Sequence, residues 1–288
     1  MPDSIKQTIQ WFPGHMAKTR RQIKEFLPLI DAVVEVLDAR VPQSSRNPEL
    51  DELIGNKPKI ILLNKCDMAD PNATSRWLQK LKNESAAALA VDCKTGKGLN
   101  QFIPLMHEVL KPVTDKNIAR GMAGKTLRLM VVGIPNTGKS SFINKMCKRN
   151  RAQVADKAGV TRQSRWFTIG HGIELLDTPG VLWPKFEDAE VGDKLAFIGS
   201  VKDTIFDIES LAVRLLNVMK KDYPDRLQER YKLMNFSDKE SYEILEQIAK
   251  KRGMIQKGGV LDTERASVML LDEYRGGKLG KITLDSVE

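Results

Sequence analysis

The chain has 288 residues, a formal net charge of +9 at pH 7 and a pI of about 9.3. Its 41% hydrophobic and 29% charged residues are typical of a globular protein, and no apolar run approaches the roughly 20 residues of a membrane span. The basic excess lies wholly in residues 1–199, since 16 Lys/Arg and 16 Asp/Glu balance each other from residue 200 onward. A basic surface favours a nucleic-acid partner, although net charge by itself is weak evidence.

The cysteines and the amino terminus indicate the cellular compartment. Cys66, Cys93 and Cys147 form no pair at metal-ligand spacing and imply no disulfide framework, as expected in a reducing environment. The first residues lack the basic and then apolar pattern of a secretory signal. We therefore expect a cytoplasmic protein that has no membrane partner.

The first 180 residues alternate between short apolar runs and helical patterns. Runs rich in Val, Ile and Leu predict buried strands at 32–37, 59–63, 87–91, 127–132 and 173–176, with an edge strand at 164–170. Helical patterns occur at 16–29, 48–55, 74–83, 99–110 and 139–149. This alternation predicts an α/β domain with a mostly parallel sheet and helices on both faces. The stretch 112–126 has no apolar period and predicts a linker.

After residue 200 the pattern predicts helices alone. They are expected at 207–222, 225–233, 238–252 and 263–275. Ser237 with Glu240 predicts a capping box for the third helix, and Gly276 with Gly277 is expected to end the fourth. We predict a first domain at 1–185, a connector at 186–200 and a small all-α domain at 201–288.

A phosphate-binding pattern, GxxxxGK[ST], occupies residues 133–140, which we call the phosphate loop. It follows the predicted strand 127–132 and opens a helix, whose amino terminus favours anions. Lys139 is expected to reach the β- and γ-phosphates, and the Ser140 hydroxyl to bind Mg²⁺. The residues expected around the phosphates are Pro135, Asn136, Thr137, Gly138, Lys139, Ser140 and Ser141.

Two further motifs are expected near the terminal phosphate. Asp177-Thr-Pro-Gly180 follows a predicted strand, so Asp177 is expected to hold Mg²⁺ through water and the Gly180 N–H to meet the γ-phosphate. A threonine that senses this phosphate through Mg²⁺ should lie between Lys139 and Asp177. Thr161, in a polar loop, is preferred to Thr168, which lies within a strand pattern.

Two segments, 64–67 and 92–94, are candidates for reading guanine, and we call them the base loops. Asn64-Lys65-Cys66-Asp67 follows a predicted strand, and the Asp67 carboxylate can accept hydrogen bonds from guanine that adenine cannot offer. Asp92, Cys93 and Lys94 follow the next strand, where a supporting loop of the type Ser-Ala-Lys is expected; Asp92 departs from that serine. GTP and GDP are therefore the expected ligands, rather than adenine nucleotides.

The order of these motifs is unusual, because the base loops precede the phosphate loop. A GTPase sheet can retain its site under such circular permutation, with its former ends joined, here through 112–126. The chain resembles the circularly permuted ribosome-assembly GTPases of the RbgA (YlqF) family. The motifs that carry the resemblance are Trp11-Phe-Pro-Gly-His15-Met-Ala-Lys18, Asp38-Ala-Arg40-Val-Pro42, NKCD, GIPNTGKS, Gly159-Val-Thr161 and DTPGV.

This resemblance implies a function and partners. It implies GTP hydrolysis coupled to late maturation of the large ribosomal subunit, with the large-subunit precursor and its rRNA as partners. It also implies that the carboxy-terminal helices form an ANTAR-like domain that contacts rRNA. We expect a monomer. Two alternatives stay open: a nucleotide-gated RNA-binding module in which hydrolysis is incidental, and a signalling GTPase.

The group that assists hydrolysis is ambiguous in the sequence. Val181 stands where Ras-like proteins carry a water-orienting glutamine, and an apolar side chain cannot polarise water. Two residues are candidates. His15 matches the proposed catalytic histidine of the family, and Asn136 is similar to the asparagine that binds K⁺ in potassium-dependent GTPases.

Overall fold

The computed structural model describes residues 13–149, 165–180, 188–201 and 203–287. It divides into two compact units, one formed by Met1–Phe186 with Asp285–Glu288 and the other by Glu187–Leu284. The sequence places a connector at 186–200, whereas a helix occupies Ala189–Phe197. The last four residues rejoin the first unit, which no sequence pattern indicated.

The first unit contains a six-stranded sheet in the order β3-β2-β1-β4-β6-β5. All neighbouring strands are parallel except β5 and β6, which are antiparallel at one edge. This confirms the predicted mostly parallel sheet and its six runs. The strands are β1 Ala32–Asp38, β2 Lys59–Asn64, β3 Ala87–Val91, β4 Leu127–Val132, β5 Arg165–Gly170 and β6 Ile173–Asp177.

Helices cover both faces of this sheet, which explains why its strands have nearly continuous apolar sequences. Strand β1 is buried along its whole length. Val34 and Val36 belong to one apolar cluster with Phe142, whereas Leu37 packs with Trp77 in another. The helices are α1 Pro13–Phe26, α2 Leu50–Ile54, α3 Pro71–Glu84, α4 Phe102–Val109, α5 Lys111–Ala119 and α6 Lys139–Arg149.

The stretch 112–126, predicted as a linker without an apolar period, joins α4 to β4 and contains α5 in its first half. Pro112 stands in the first turn, where its fixed φ suits a helix and its missing N–H costs nothing. Val113 packs against the core. With so small an apolar contact, the helix leaves no recognisable apolar period in the sequence.

The second unit is helical, as predicted. Its helices are α7 Ala189–Phe197, α8 Ile208–Asp222, α9 Pro224–Tyr231, α10 Ser241–Lys251 and α11 Thr263–Arg275. The predicted capping box of Ser237 and Glu240 is wrong, because α10 begins later and its box is formed by Glu240 and Glu243. Both pairs have the same spacing of three residues, and the preference for serine at a helix start selected the earlier one.

Candidate nucleotide-binding site

The motifs predicted from the sequence meet at one edge of the sheet. The base loops follow β2 and β3, the phosphate loop follows β4, and Asp177 ends β6. These strands are parallel, so their carboxyl ends lie together. In open α/β sheets this edge is where ligands bind.

Asn64 connects three loops that are distant in sequence. Its side-chain Nδ2 donates to the Thr137 carbonyl at 2.6 Å, and its Oδ1 accepts from the Cys93 N–H at 3.0 Å. The residue is 3% exposed, so these hydrogen bonds are shielded from water. One buried amide thus holds both base loops against the phosphate loop.

Lys65 makes a second link between a base loop and the phosphate loop. Its Nζ donates to the Asn136 carbonyl at 2.7 Å and lies 2.9 Å from Asp38 Oδ2. The φ angles of Lys65 and Asn136 are 61° and 63°, in the left-handed region that non-glycine residues rarely adopt. Such strain persists where surrounding contacts impose it, and it is concentrated at functional sites.

In the sequence, Asp38 stands out only as part of a family motif. In the structure it supports the part of the site around the base loops, which we call the base side. Its fully buried carboxylate accepts from the Arg40 N–H at 3.1 Å and from Arg40 Nε at 2.9 Å, and it forms the ion pair with Lys65. Burial by itself would raise the pKa of Asp38, but Arg40 and Lys65 outweigh it and hold the pKa well below its usual range. The available signal was a carboxylate ending an apolar run two residues before an arginine.

Asp92 stands where a serine is expected, and its carboxylate orders the second base loop. Its Oδ1 accepts from the Lys94 N–H at 2.8 Å and the Thr95 N–H at 3.2 Å. Burial would raise the pKa of Asp92, but the hydrogen bonds from Thr95 and Lys94 lower it. Burial raises the pKa of the neighbouring Cys93 thiol to about 12, so Cys93 supplies no thiolate, and its backbone N–H donates to Asn64 Oδ1. Asp67 is exposed at the end of the first base loop.

The phosphate loop requires glycine where it approaches the base side. Gly138 has a φ of 103°, and a Cβ there would overlap the side-chain amide of Asn64. The buried Lys139 donates from Nζ to the Ile134 carbonyl at 2.9 Å. Burial lowers the pKa of Lys139 to about 8, although the charge of Asp177 acts in the opposite direction.

The Asp177-Thr-Pro-Gly180 motif lies beside the phosphate loop. Asp177 is buried, and the Thr178 hydroxyl donates to the Val131 carbonyl at 2.7 Å. A Cβ on Gly180 would lie 3.0 Å from the Pro135 nitrogen and 3.1 Å from Lys139 Nζ. The motif therefore lies directly against the phosphate loop.

Three residues were expected near the reacting phosphate: His15, Thr161 and Val181. Thr161 and Val181 lie outside the described residues, and so does the side chain of His15, whose backbone is in the first turn of α1. Ser140 and Ser141 occupy the first turn of α6, directly after Lys139. Within the described ranges, no helix is both long and apolar enough to cross a membrane.

The sheet and its loops define a P-loop GTPase with a circularly permuted strand order. A family model described as a 50S ribosome-binding GTPase matches residues 128–255. Ribosome biogenesis GTPase A of Bacillus cereus is 46% identical over 97% of this chain and 94% of its own length. The protein of that name from Thermotoga maritima is 32% identical over 97% of this chain and 95% of its own.

Solved structures give the same result. GNP-bound YlqF from T. maritima superposes with a TM-score of 0.65 at 29% identity, covering 93% of this chain and 97% of that one. A GDP-bound YlqF structure superposes with a TM-score of 0.65 at 28% identity, covering 92% and 98%. The chain belongs to the ribosome biogenesis GTPase A (RbgA/YlqF) family, and it is a GTPase of ribosome assembly.

Proposed function

We propose that this GTPase binds the precursor of the large ribosomal subunit, contacts its rRNA and hydrolyses GTP in the late stage of its assembly. The observation that carries the nucleotide site is the pair of Asn64 side-chain hydrogen bonds, one donated to the Thr137 carbonyl and one accepted from the Cys93 N–H, which joins the base and phosphate loops. The large subunit as partner is supported by the description of the matching family model.

In this proposal the two sides of the site have separate roles. The Asp67 carboxylate reads the guanine edge, and Lys65 and Lys94 pack near the base, while the Cys93 N–H is used by Asn64. Residues 135–141 surround the phosphates, with Lys139 as the cation and the Gly180 N–H at the γ-phosphate. The matched relatives with bound GDP and GNP support a guanine nucleotide here.

The oxygen ligands present fit Mg²⁺. Asp177 is a buried carboxylate at a strand end, and Ser140 offers a hydroxyl in the first helical turn, a combination that suits a hard cation sharing phosphate oxygens. Ser140 and Thr161 would bind the ion directly and Asp177 through water. When bound, Mg²⁺ neutralises charge on the β- and γ-phosphates.

Hydrolysis requires a group that replaces the missing glutamine. His15 would orient the attacking water through its imidazole, which is suited to this near neutral pH. Asn136 would supply a side-chain oxygen to K⁺, and it is an exposed residue at the outer side of the phosphate loop. Turnover by the free protein should be near the roughly 10⁻⁴ s⁻¹ of unassisted G proteins.

The helical unit is the proposed ANTAR-like rRNA-contacting domain of a monomeric, cytoplasmic protein. A group of cations lies at the end of α10 and in the segment after it, and all four are exposed: Lys250, Lys251, Arg252 and Lys257. Phosphate contacts of this type are expected to weaken steeply with salt.

Co-sedimentation with large-subunit precursors tests the proposal. The protein is mixed with particles in a non-hydrolysable GTP analogue, in GDP and without nucleotide, and turnover is measured with and without particles. We expect binding that depends on the nucleotide and turnover raised by orders of magnitude. Binding without faster turnover would favour the RNA-binding module, and absence of binding would favour a signalling GTPase.

A further inference from the structure

The carboxy-terminal residues pack against the turn after β1 and against α3. Asp285 is 6% exposed and belongs to the same compact unit as the sheet. We infer that Asp285 is a positioning residue for the guanine-nucleotide site and acts through Ser44, Ser45 and Asp38. This inference rests on nucleotide binding by the free protein and is independent of any ribosomal partner.

Asp285 is held by side-chain and backbone contacts. Its Oδ2 accepts from the Ser44 N–H at 2.8 Å, and its Oδ1 accepts from the Ser44 hydroxyl at 2.9 Å. Its carbonyl accepts from Nε1 of the buried Trp77 at 3.1 Å. Val287 packs against the cluster that contains Trp77 and Leu37. A carboxylate that accepts two hydrogen bonds from one residue fixes both the position and the orientation of that residue.

The position of Ser44 is transmitted to Asp38 through the next residue. The Ser45 hydroxyl accepts from the Asp38 N–H at 3.1 Å, and the Ser45 N–H donates to the Val41 carbonyl at 2.9 Å. Both serines are buried. The turn after β1 therefore has defined partners on both sides, Asp285 on one and the Asp38 backbone on the other.

Asp38 then reaches the nucleotide site through its side chain. Its carboxylate lies 2.9 Å from Lys65 Nζ, and the same Nζ donates to the Asn136 carbonyl at 2.7 Å. Because Lys65 is already in a left-handed conformation, its placement depends on these contacts. Hydrogen bonds and one ion pair, together with the peptide link between Ser44 and Ser45, thus join the carboxy terminus to the phosphate loop.

The test compares Asp285→Ala with Ser286→Ala, a matched control in the same segment, since Ser286 is exposed. The dissociation rate of a fluorescent GDP analogue and kcat at saturating GTP are measured on the free full-length protein. We expect Asp285→Ala to raise the dissociation rate at least about fivefold, the lower end of typical coupling between sites. The dissociation rate of Ser286→Ala should match that of the wild type. The kcat of Asp285→Ala should stay within about twofold of the wild-type value.

Ser44 variants separate positioning from a loss of folding stability. Ser44→Ala removes one of the two hydrogen bonds to Asp285 and should also raise the GDP dissociation rate. Ser44→Thr keeps the hydroxyl and should dissociate GDP at the wild-type rate. The double variant should not exceed Asp285→Ala alone, because both changes remove the same contact. A lower Tm with unchanged GDP dissociation in folded Asp285→Ala would overturn the inference. If Asp285→Ala does not fold, unchanged dissociation in Ser44→Ala overturns it.

Discussion

The base side and the phosphate side of the site each contain a buried charge, and the two charges are stabilised differently. Asp38, at the base side, has Arg40 and Lys65 against its carboxylate, and its pKa is held well below its usual range. Lys139, in the phosphate loop, donates to a backbone carbonyl, and burial lowers its pKa to about 8. The protein thus supplies the counter-charges of the base side itself.

Because their charges are stabilised differently, the two sides should respond differently to ligand and pH. A base side whose charges are already paired is pre-organised for guanine, and binding there changes few protonation states. A buried lysine with a lowered pKa is stabilised as a cation by the negative charge of a phosphate. Specificity should therefore depend on the base side, and affinity and its pH dependence on the phosphate side.

The largest effect is expected at Asp67. Asp67→Asn replaces one of the two carboxylate acceptors for the guanine N–H groups with an NH₂ donor. GTP binding should weaken about a thousandfold, because one guanine N–H then faces a donor instead of an acceptor. Xanthine nucleotides should bind better to the variant, since the asparagine amide can donate to the xanthine 2-oxygen. Asp115→Asn, on an exposed residue of α5, is the control. Equal GTP affinity in equilibrium titrations of the two variants would exclude Asp67 from base reading.

A change at Lys139 should affect affinity but not specificity. Lys139→Ala removes a charge-assisted contact to the phosphates and should weaken GTP and GDP binding about a hundredfold. The preference for guanine over adenine nucleotides should be preserved, since the base loops are untouched. Lys116→Ala, on an exposed residue of α5, serves as the control. A loss of guanine preference in competition binding would contradict the separation of the two sides.

Gly138→Ala should disturb the contact between the two sides. The new methyl group would overlap the Asn64 amide at a φ that favours glycine, so nucleotide affinity should fall about thirtyfold. Gly121→Ala is matched, because its φ is also positive at 77° while a Cβ there meets nothing within 4 Å. Gly121→Ala should lower the free energy of unfolding by about 1 kcal/mol and leave nucleotide affinity unchanged. Thermal unfolding measures the stability of each variant, and GDP titration measures its affinity. Similar losses of affinity in Gly138→Ala and Gly121→Ala would refute the steric explanation.

The pH dependence of GDP binding should report Lys139. With its pKa near 8, Lys139 is mostly charged at lower pH, so affinity should be nearly constant there and should fall about tenfold per unit at higher pH. Calorimetric titrations from about pH 6.5 to about 9.5 would show this together with proton uptake on the alkaline side. Lys139→Arg keeps the charge throughout this range and should flatten the profile. The same slope in the arginine variant would assign the titration to another group.

Much of the fold and site was predictable from local patterns. The five parallel strands were recognisable because buried parallel strands are continuous apolar runs, and the motifs could be recognised by their position after those strands. The helix at Lys111–Ala119 was missed because its small contact with the core produces no apolar period. The start of α10 was misplaced because two segments of equal spacing compete as capping boxes.

Local patterns were enough to predict the family, the permuted motif order and the residue types expected to read base and phosphate, because each motif is recognised from neighbours within a few positions. The contact of Asn64 with Thr137 across 73 residues and that of Asp285 with Ser44 across 241 are visible only in the folded chain. Such contacts leave no period or spacing in the chain. They arise because the sheet brings its carboxyl ends together and because the carboxy terminus returns to the first unit.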